Sequence, residues 1–432
     1  MNRPLLLVGD LHLGRRPPGL GEVLPELGLE PRELSAVAAW EATVDWAIRR
    51  EIRAVVLAGD VVEGLRDRFE AFTHLARGTK RLADAGIPLL AVAGNHDGEA
   101  LPRLADRVPE VILVGRGGRW EIVPIPGRDG EPPVDLLGWS FPAPTVRNDP
   151  TEDPSFEEAL DRRRESARLI GVVHGDLDAP GSRHAPLSRH RLAGASVDAW
   201  FLGHIHVPGT LDGPRPLGYL GSVGALDPGE TGVHGPWELE LDGGVAVRQI
   251  PLSPVRFENV EIELGDHAPA EPDALLASLE GTIRERLGPS LVTAGGHPRL
   301  LAVRLTLTGR PQARRAVDEI VRLEPLERLF PGEDPPMVIS RITDRTRPAI
   351  DLEELAAATT PAGELARLLQ ALEHDPPREL LEAAERSIGG WKGSGWTGGE
   401  IPPPPETVEL LRTAARRALL AVLDGRRDEE EP

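Results

Sequence analysis

The chain of 432 residues contains no cysteine, one tyrosine and two methionines, and aromatic residues make up only 4% of it. Without cysteine there can be no disulfide and no thiolate zinc site. Any metal must therefore be held by histidine, carboxylate, amide or backbone oxygen. Hydrophobic residues still make up 40% of the chain, so a sizeable core of leucine, valine, isoleucine and alanine can form. The length favours two or three domains.

Long apolar runs are also absent. The only apolar run near the start, Leu5–Val8, stops at Gly9-Asp10 and is too short for the core of a signal peptide. No other segment approaches the length of a membrane span. We therefore expect a soluble cytoplasmic protein that does not associate with membranes.

The net charge of −20 limits how the protein can bind nucleic acid. An acidic surface repels a phosphate backbone unless metals or a local basic patch reverse the field. Passive coating of DNA is therefore disfavoured. A carboxylate-rich metal enzyme is not, because bound divalent ions are the largest local charges at such a site.

Short apolar runs alternate with amphipathic stretches over residues 1–255, which is typical of an α/β domain. The predicted helices of this domain span 33–50 and 69–85. Ligands of open α/β sheets bind outside the carboxyl ends of the strands, and several predicted strands end in a polar cluster next to glycine. The predicted strands are Leu5–Val8, Ala54–Ala58, Pro88–Ala93, Val111–Val114, Val134–Trp139, Leu169–Val173 and Ala199–Leu202.

The pattern changes after Pro254. Alternating strand and helix patterns predict a small α/β cap domain over 256–350, followed by a helical segment over 351–390. A linker rich in glycine, tryptophan and proline covers 391–405, and an amphipathic helix with an acidic tail covers 406–432. That helix can either pack on the body of the protein or dock on a partner.

Five short clusters follow predicted strands and contain the oxygen and imidazole groups that bind hard or borderline metals. Any one of them alone is more simply a turn or a cap. Together, at the ends of successive strands, they are expected to converge on one edge of the sheet and form a metal site. The clusters are Gly9-Asp10-Leu11-His12, Gly59-Asp60, Gly94-Asn95-His96-Asp97, His174-Gly175 and Gly203-His204-Ile205-His206.

The spacing of His204 and His206 suits a pair of metals. Residues i and i+2 of an extended segment face the same side, about 6.5 Å apart. Each histidine can then reach a different ion of a pair roughly 3.5–4 Å apart. Asp60 has two carboxylate oxygens and can bridge such a pair, while Asn95 offers a neutral oxygen that leaves the metal charge unquenched.

The ordered set Asp-x-His, Gly-Asp, Gly-Asn-His-Asp, His and Gly-His-x-His resembles the calcineurin-like metallophosphoesterase superfamily over the first half of the chain. The resemblance implies the two-sheet α/β sandwich of that superfamily, here with a small α/β cap domain and C-terminal helices. It also implies metal-assisted hydrolysis of a phosphate ester by two divalent ions, with Mn²⁺ as the first expectation.

The same resemblance implies a role for each motif residue. His96 would contact the scissile phosphate and protonate or stabilise the leaving oxygen. Asp97 would either orient His96 or serve as a turn residue. The implied metal ligands are Asp10, His12 and His206 for one ion, Asn95, His174 and His204 for the other, and Asp60 as the bridge.

Differences from other members of the superfamily indicate which branch of it the chain resembles. The second motif, 59–64, lacks the arginine that serine/threonine phosphatases carry, and the stretch 218–232 is similar to that of SbcD-like DNA repair exonucleases. This resemblance implies that the substrate is DNA and the partner an SbcC-like coiled-coil ATPase. A homodimer is compatible with it.

Two other functions stay open. The acidic charge allows a phosphodiesterase of the same chemistry that acts on a small nucleotide or another diester without DNA. A non-catalytic scaffold of a repair complex is disfavoured because His96, which is not a ligand, is present. The basic loop that contains His184 and His190 is interpreted as solvated surface, with contact to substrate phosphates as the alternative.

Overall fold

A computed structural model describes residues 2–15, 19–21, 23–63, 68–291, 298–332, 334–347, 350–374, 376–392 and 404–425. The chain divides into two compact units. The first holds residues 1–263, 269–308 and 313–345, and the second holds 264–268, 309–312 and 346–432. Most of the predicted linker over 391–405 and the acidic tail lie outside the described residues.

The strands lie almost entirely in the first unit. In chain order they are β1 (Leu5–Val8), β2 (Ala54–Ala58), β3 (Leu89–Val92), β4 (Val111–Leu113), β5 (Glu121–Ile125), β6 (Val134–Trp139), β7 (Arg168–His174), β8 (Ala199–Gly203), β9 (Leu217–Tyr219), β10 (Trp237–Glu240), β11 (Ala246–Gln249), β12 (Val255–Leu264), β13 (Leu300–Gly309), β14 (Leu329–Phe330) and β15 (Met337–Asp344).

The helices of the first unit cover the outer faces of the sheets or connect strands. They are α1 (Ala36–Arg49), α2 (Arg68–Asp84), α3 (Ala100–Ala105), α4 (Pro154–Asp161), α5 (Arg189–Gly194), α6 (Pro272–Leu291) and α7 (Arg314–Arg322).

Two sheets form the first half of this unit. One has the order β11-β10-β1-β2-β3-β4, in which β1 to β4 are parallel. The other has the order β5-β6-β7-β8-β9, in which β6 to β9 are parallel. The prediction that the polar clusters converge on the edge of a single sheet is therefore wrong, because β1, β2 and β3 belong to one sheet and β7 and β8 belong to the other. The polar clusters follow the carboxyl ends of parallel strands in both.

The continuous apolar runs of the sequence arise because both faces of each sheet are covered. In β1, Leu5 and Leu7 point into a core that lies between the two sheets, together with Ile170 and Phe201. The alternate residues of β1 point outward and pack in a core with α1 and α2 side chains such as Trp40 and Leu75. The result is a two-sheet α/β sandwich, as predicted.

A third sheet completes the first unit. It has the order β12-β13-β15-β14, with β13 and β15 parallel and β14 antiparallel to β15. The segment around Leu20, Leu24 and Leu34 shares a hydrophobic cluster with Phe257 and Ala302 of this sheet. An insertion that follows the first motif is thus packed against the region that the sequence identifies as a cap.

The second unit is helical. It contains α8 (Leu352–Ala356), α9 (Pro361–His374), α10 (Arg378–Lys392) and α11 (Pro404–Gly425). Leu369 and Leu372 of α9 pack with Ala415 and Leu419 of α11. The last amphipathic helix therefore buries part of its apolar face within its own unit. In the part of the chain that the structure describes, no helix is long and apolar enough to cross a membrane.

Candidate metal centre

The ends of five strands bring the motif residues together, and their backbone is strained. His12 has φ 45°, Asp60 φ 47° and His204 φ 107°, in the left-handed region that side chains other than glycine rarely adopt. Such conformations cost about 1–3 kcal/mol each and persist where the surroundings determine them, often at functional sites. The strain therefore falls on residues that were predicted as ligands.

Glycine lets these loops approach one another. A Cβ on Gly94 would lie 2.2 Å from the Asp60 Oδ1 atom, and one on Gly9 would lie 1.9 Å from the Gly221 carbonyl oxygen. Both distances are shorter than any non-bonded contact, so a side chain at either position would push the loops apart. The glycines that precede Asp10 and Asn95 are thus needed for the close packing of the site.

The first cluster contains Asp10, His12 and His206. One potential ligand atom of each lies within 4.8 Å of the others. The two Nε2 atoms of His12 and His206 are 3.0 Å apart. The Asp10 carboxylate also accepts hydrogen bonds from the His204 amide at 2.9 and 3.1 Å, which fixes it at the junction of the two sheets.

The second cluster contains Asp60, His174 and His204, again within 4.8 Å of one another. Asn95 belongs to the same group, because its Oδ1 atom lies 3.0 Å from His174 Nε2 and 3.1 Å from His204 Nδ1. All seven predicted ligands are thus distributed over two adjacent clusters.

Asp60 lies between the two clusters. Its Oδ2 atom is 3.7 Å from His12 Nε2 and 3.4 Å from His174 Nε2. Burial opposes ionisation, but His174, His12 and the amide of His96 outweigh it and lower the pKa of Asp60 well below its usual range. The side chain is a buried carboxylate with one oxygen facing both clusters.

Three carboxylates that sequence reasoning missed hold the outer nitrogens of the histidines. Glu63 Oε2 lies 2.5 Å from His12 Nδ1, Glu230 Oε1 lies 2.7 Å from His206 Nδ1, and Asp176 Oδ1 lies 3.1 Å from His204 Nε2. Such partners orient metal-binding histidines and fix their tautomer. A sequence signal existed for two of them, because Glu63 follows the predicted ligand Asp60 by three residues and Asp176 follows the predicted ligand His174 by two. Glu230 lies within the stretch 218–232, which carried the resemblance to the exonuclease branch.

These hydrogen bonds decide which atoms face inward. Glu63 and Glu230 accept hydrogen bonds from Nδ1–H of His12 and His206. The Nε2 lone pairs of the two neutral histidines therefore face each other at 3.0 Å. In the second cluster His174 Nδ1 lies 3.1 Å from the Ala58 carbonyl, which only accepts. In the neutral imidazole that a metal requires, His174 Nε2 and Asn95 Oδ1 then meet as two acceptors, and His204 Nδ1 is a third. Converging lone pairs of this kind fit a cation in each cluster.

In the metal-free protein the second cluster carries a proton where the metal-bound protein would carry a cation. Burial opposes a charge on His174, but Asp60 and Asp10 raise its pKa to about 9. Burial and the charge of His174 lower the pKa of His204 to about 4. Without metal, a proton on His174 therefore supplies positive charge to the second cluster, while His204 keeps a free lone pair.

His96 and Asp97 differ in their surroundings. The His96 side chain is 41% exposed, and its ring centroid lies 5.1 Å from that of His12. Asp97 is fully buried and accepts hydrogen bonds from the amides of Gly94, Val61 and Val62. Burial and the neighbouring Asp60 raise the pKa of Asp97 to about 7. These contacts favour a role in joining the two loops, and a catalytic role of Asp97 stays a prediction.

Two details predicted from the sequence need revision. The segment 204–207 bends and is not extended, since tight packing gives His204 a φ of 107°, yet His204 and His206 still reach different clusters. The two histidines of the basic loop differ in their surroundings. His184 lies beside His204, with ring centroids 5.1 Å apart, whereas His190 is exposed on α5.

The sheets, the strained loops and the two clusters define the class of protein. Residues 3–208 match the model of the calcineurin-like phosphoesterase family, and this part of the chain belongs to that family.

The relatives point to one branch of the family. The chain is 28% identical over 275 residues to the DNA double-strand break repair protein Mre11 of Aeropyrum pernix, covering 61% of this chain and 64% of that one. It is 27% identical to the uncharacterised metallophosphoesterase YhaO of Bacillus subtilis, covering 54% and 56%. It is 26% identical to a subunit of the nuclease SbcCD of Rhodobacter capsulatus, covering 48% and 60%. The match thus spans less than two thirds of each of these relatives.

Proposed function

We propose that the protein is a phosphodiesterase that depends on two divalent metals and hydrolyses DNA. The position of Asp60 Oδ2, 3.7 Å from His12 Nε2 and 3.4 Å from His174 Nε2, carries the two-metal part of the proposal. A carboxylate oxygen that faces two groups of lone pairs is suited to bridge two cations. The proposed ligands are Asp10, His12 and His206 in the first cluster, Asn95, His174 and His204 in the second, and Asp60 in both.

When bound, the ions supply Lewis-acid activation of water and neutralise charge on the phosphoryl oxygens. The chain itself holds the ligand imidazoles in one tautomer through Glu63, Glu230 and Asp176. His96 reaches solvent beside His12, so its imidazole is free to contact the leaving oxygen of a bound ester and to give it a proton. We propose Mn²⁺ for both sites, since it accepts mixed imidazole and oxygen ligands.

DNA as substrate is supported by the names of two relatives, one a DNA double-strand break repair protein and the other part of a nuclease. It is also supported by local charge. A groove of about 790 Å³ that begins two residues after His12, at Gly14, is lined by five arginines against three carboxylates: Arg15, Arg32, Arg77, Arg256 and Arg299, with Glu33, Glu41 and Asp45. The lining therefore has more positive than negative side chains beside the proposed site, although the chain as a whole is acidic.

We further propose an ATPase partner of the SbcC kind, because one relative is named as a subunit of the nuclease SbcCD. The boundaries of the phosphoesterase domain, cap and helical segments remain our proposal as well. A small diester is the second candidate substrate, favoured by the net charge of −20 and by the pairing of Arg77 with Glu41 and of Arg299 with Glu33.

Digestion of DNA tests the proposal. The purified chain is incubated with linear and circular duplex DNA and with bis-p-nitrophenyl phosphate, in Mn²⁺ and after chelation. We expect metal-dependent cleavage of the diester and of linear DNA, with stronger DNA cleavage when an SbcC-like ATPase is added. Turnover of the diester without any DNA cleavage, with or without that ATPase, would support the second candidate. No metal-dependent turnover of either substrate would exclude both.

A further inference from the structure

His184 is a second histidine beside the candidate metal centre that has no place in the ligand set. Its ring centroid lies 5.1 Å from that of His204. A ring nitrogen of His184 lies within 4.8 Å of ligand atoms of Asp176 and His204. His96 likewise lies beside a predicted ligand of the first cluster, with its ring centroid 5.1 Å from that of His12. Two histidines outside the ligand set thus flank the two clusters.

The backbone of His184 is fixed from both sides. The Ala185 amide donates to the Val146 carbonyl at 2.8 Å, and the Asp176 amide donates to the His184 carbonyl at 2.9 Å. Ala185 is fully buried and has φ 52°, in the left-handed region that is costly for alanine. The neighbours therefore determine this strained loop, and the loop holds His184 at the edge of the site while its side chain stays half-buried.

The orientation of His204 shows which part of a substrate His184 can reach. His204 Nδ1 faces Asn95 Oδ1 at 3.1 Å, in the ligand cluster, and His204 Nε2 faces Asp176 Oδ1 at 3.1 Å. Asp176 lies on the Nε2 side of the ring, away from the cluster, and a ring nitrogen of His184 lies within 4.8 Å of an Asp176 carboxylate oxygen. A group that contacts His184 would therefore lie next to the phosphate held at the metals and not at that phosphate.

We propose that His184 is a specificity-determining residue that donates a hydrogen bond to a phosphate oxygen flanking the scissile phosphodiester. The inference rests on the proposed function. A nucleic-acid strand supplies a flanking phosphate, whereas a diester with a single phosphate does not. His184 would then favour strands over small diesters, which is the choice between the two candidate substrates.

The test compares two substrates of the same nucleoside: the p-nitrophenyl ester of thymidine 5′-monophosphate, with one phosphate, and a short oligothymidylate. The variants are His184→Ala, His184→Gln and, as the matched control, the exposed His190→Ala. We expect the ratio of kcat/KM for the oligonucleotide to kcat/KM for the ester to fall about tenfold in His184→Ala, as for the loss of one hydrogen bond to a charged group. His184→Gln, which keeps a donor, should recover part of the ratio, and His190→Ala should not change it.

Three results would overturn the inference. Equal losses on both substrates would mean that His184 acts on the metals, and a lower Mn²⁺ content of His184→Ala would make it a ligand. Unchanged kcat/KM on both substrates would exclude a contact with the strand. Wild-type protein that hydrolyses neither substrate would contradict the proposed function itself, and wild-type protein that hydrolyses only the ester would contradict DNA as the substrate along with the inference. Wild-type protein that hydrolyses both, with unchanged rates in His184→Ala, would contradict the inference alone.

Discussion

The two sides of the candidate metal centre differ in how they are buried. On the closed side, Asp10, Asp60 and His174 are at most 2% exposed. On the open side, the side chain of His96 is 41% exposed. A group that must hold a cation gains from burial because the low dielectric strengthens its interactions. A group that must meet a substrate has to stay accessible. The difference predicts that substitutions on the closed side remove metal and that substitutions on the open side remove turnover alone.

The largest effect is expected on the closed side, at Asp60. Asp60→Asn keeps the size of the side chain but removes the charge that faces both clusters. We expect Mn²⁺ content measured by mass spectrometry to fall and hydrolysis of bis-p-nitrophenyl phosphate to fall below detection. Asp106→Asn, at an exposed position, serves as the control. Full metal content with full turnover in Asp60→Asn would remove the basis for a bridging role.

The matching substitution on the open side is His96→Ala. It should lower kcat by about 10²- to 10⁴-fold, the contribution typical of a positioned acid, while Mn²⁺ content stays that of the wild type. Kinetics on esters with good and poor leaving groups, together with metal analysis, provide the measurement, and the exposed His190→Ala is the control. If metal is lost along with turnover, the distinction between the two sides fails.

A smaller effect is expected at Glu230, which accepts a hydrogen bond from His206. Glu230→Gln removes the charge of the carboxylate that accepts from His206 Nδ1 and from Ser222 and the Leu226 amide. Partners of this kind usually contribute 10- to 100-fold to metal affinity. We expect a loss of about that size in titrations with Mn²⁺, and none in the exposed control Glu240→Gln. Unchanged affinity would show that His206 does not need this partner.

The smallest expected effect is a change in the stability of the metal-free protein with pH, caused by His174 on the closed side. His174 has a pKa raised to about 9 in the metal-free protein, against about 6.5 for an unfolded histidine. Its contribution to stability is therefore complete below about pH 6.5 and is lost as the pH rises through 9.

Thermal unfolding of chelated protein between pH 6.5 and 9 measures this contribution. We expect Tm to fall by at most about 2 °C for each kcal/mol lost, because the shift becomes smaller as chains become longer. Mn²⁺ should bind more tightly over the same interval because it replaces the proton. A Tm of the chelated protein that rises with pH would contradict the sign of the shift.

Much of this arrangement could be predicted from the sequence because the ligands follow buried strands. The predicted β1, β2 and β6 agree with the structure residue for residue, since their apolar runs are covered on both faces. Short strands with exposed residues, such as β5 and β11, were not predicted because they lack such a run.

The pairing of the outer carboxylates with the histidines depends on tertiary contacts between positions far apart in the sequence. Glu63 is 51 positions from His12, and Glu230 is 24 from His206. The strain at His204 and the place of His184 also follow from packing between the two sheets. Local sequence therefore predicted which side chains meet in the two clusters, and only the fold identified the carboxylates beside them.

We propose that two divalent ions bind side by side, with Asp60 shared between them. A crystal structure of the Mn²⁺-loaded protein with anomalous diffraction would locate both ions. We expect two peaks roughly 3.5–4 Å apart, one bound by Asp10, His12 and His206, the other by Asn95, His174 and His204, and both by Asp60. A single peak, or two peaks that do not share Asp60, would contradict it.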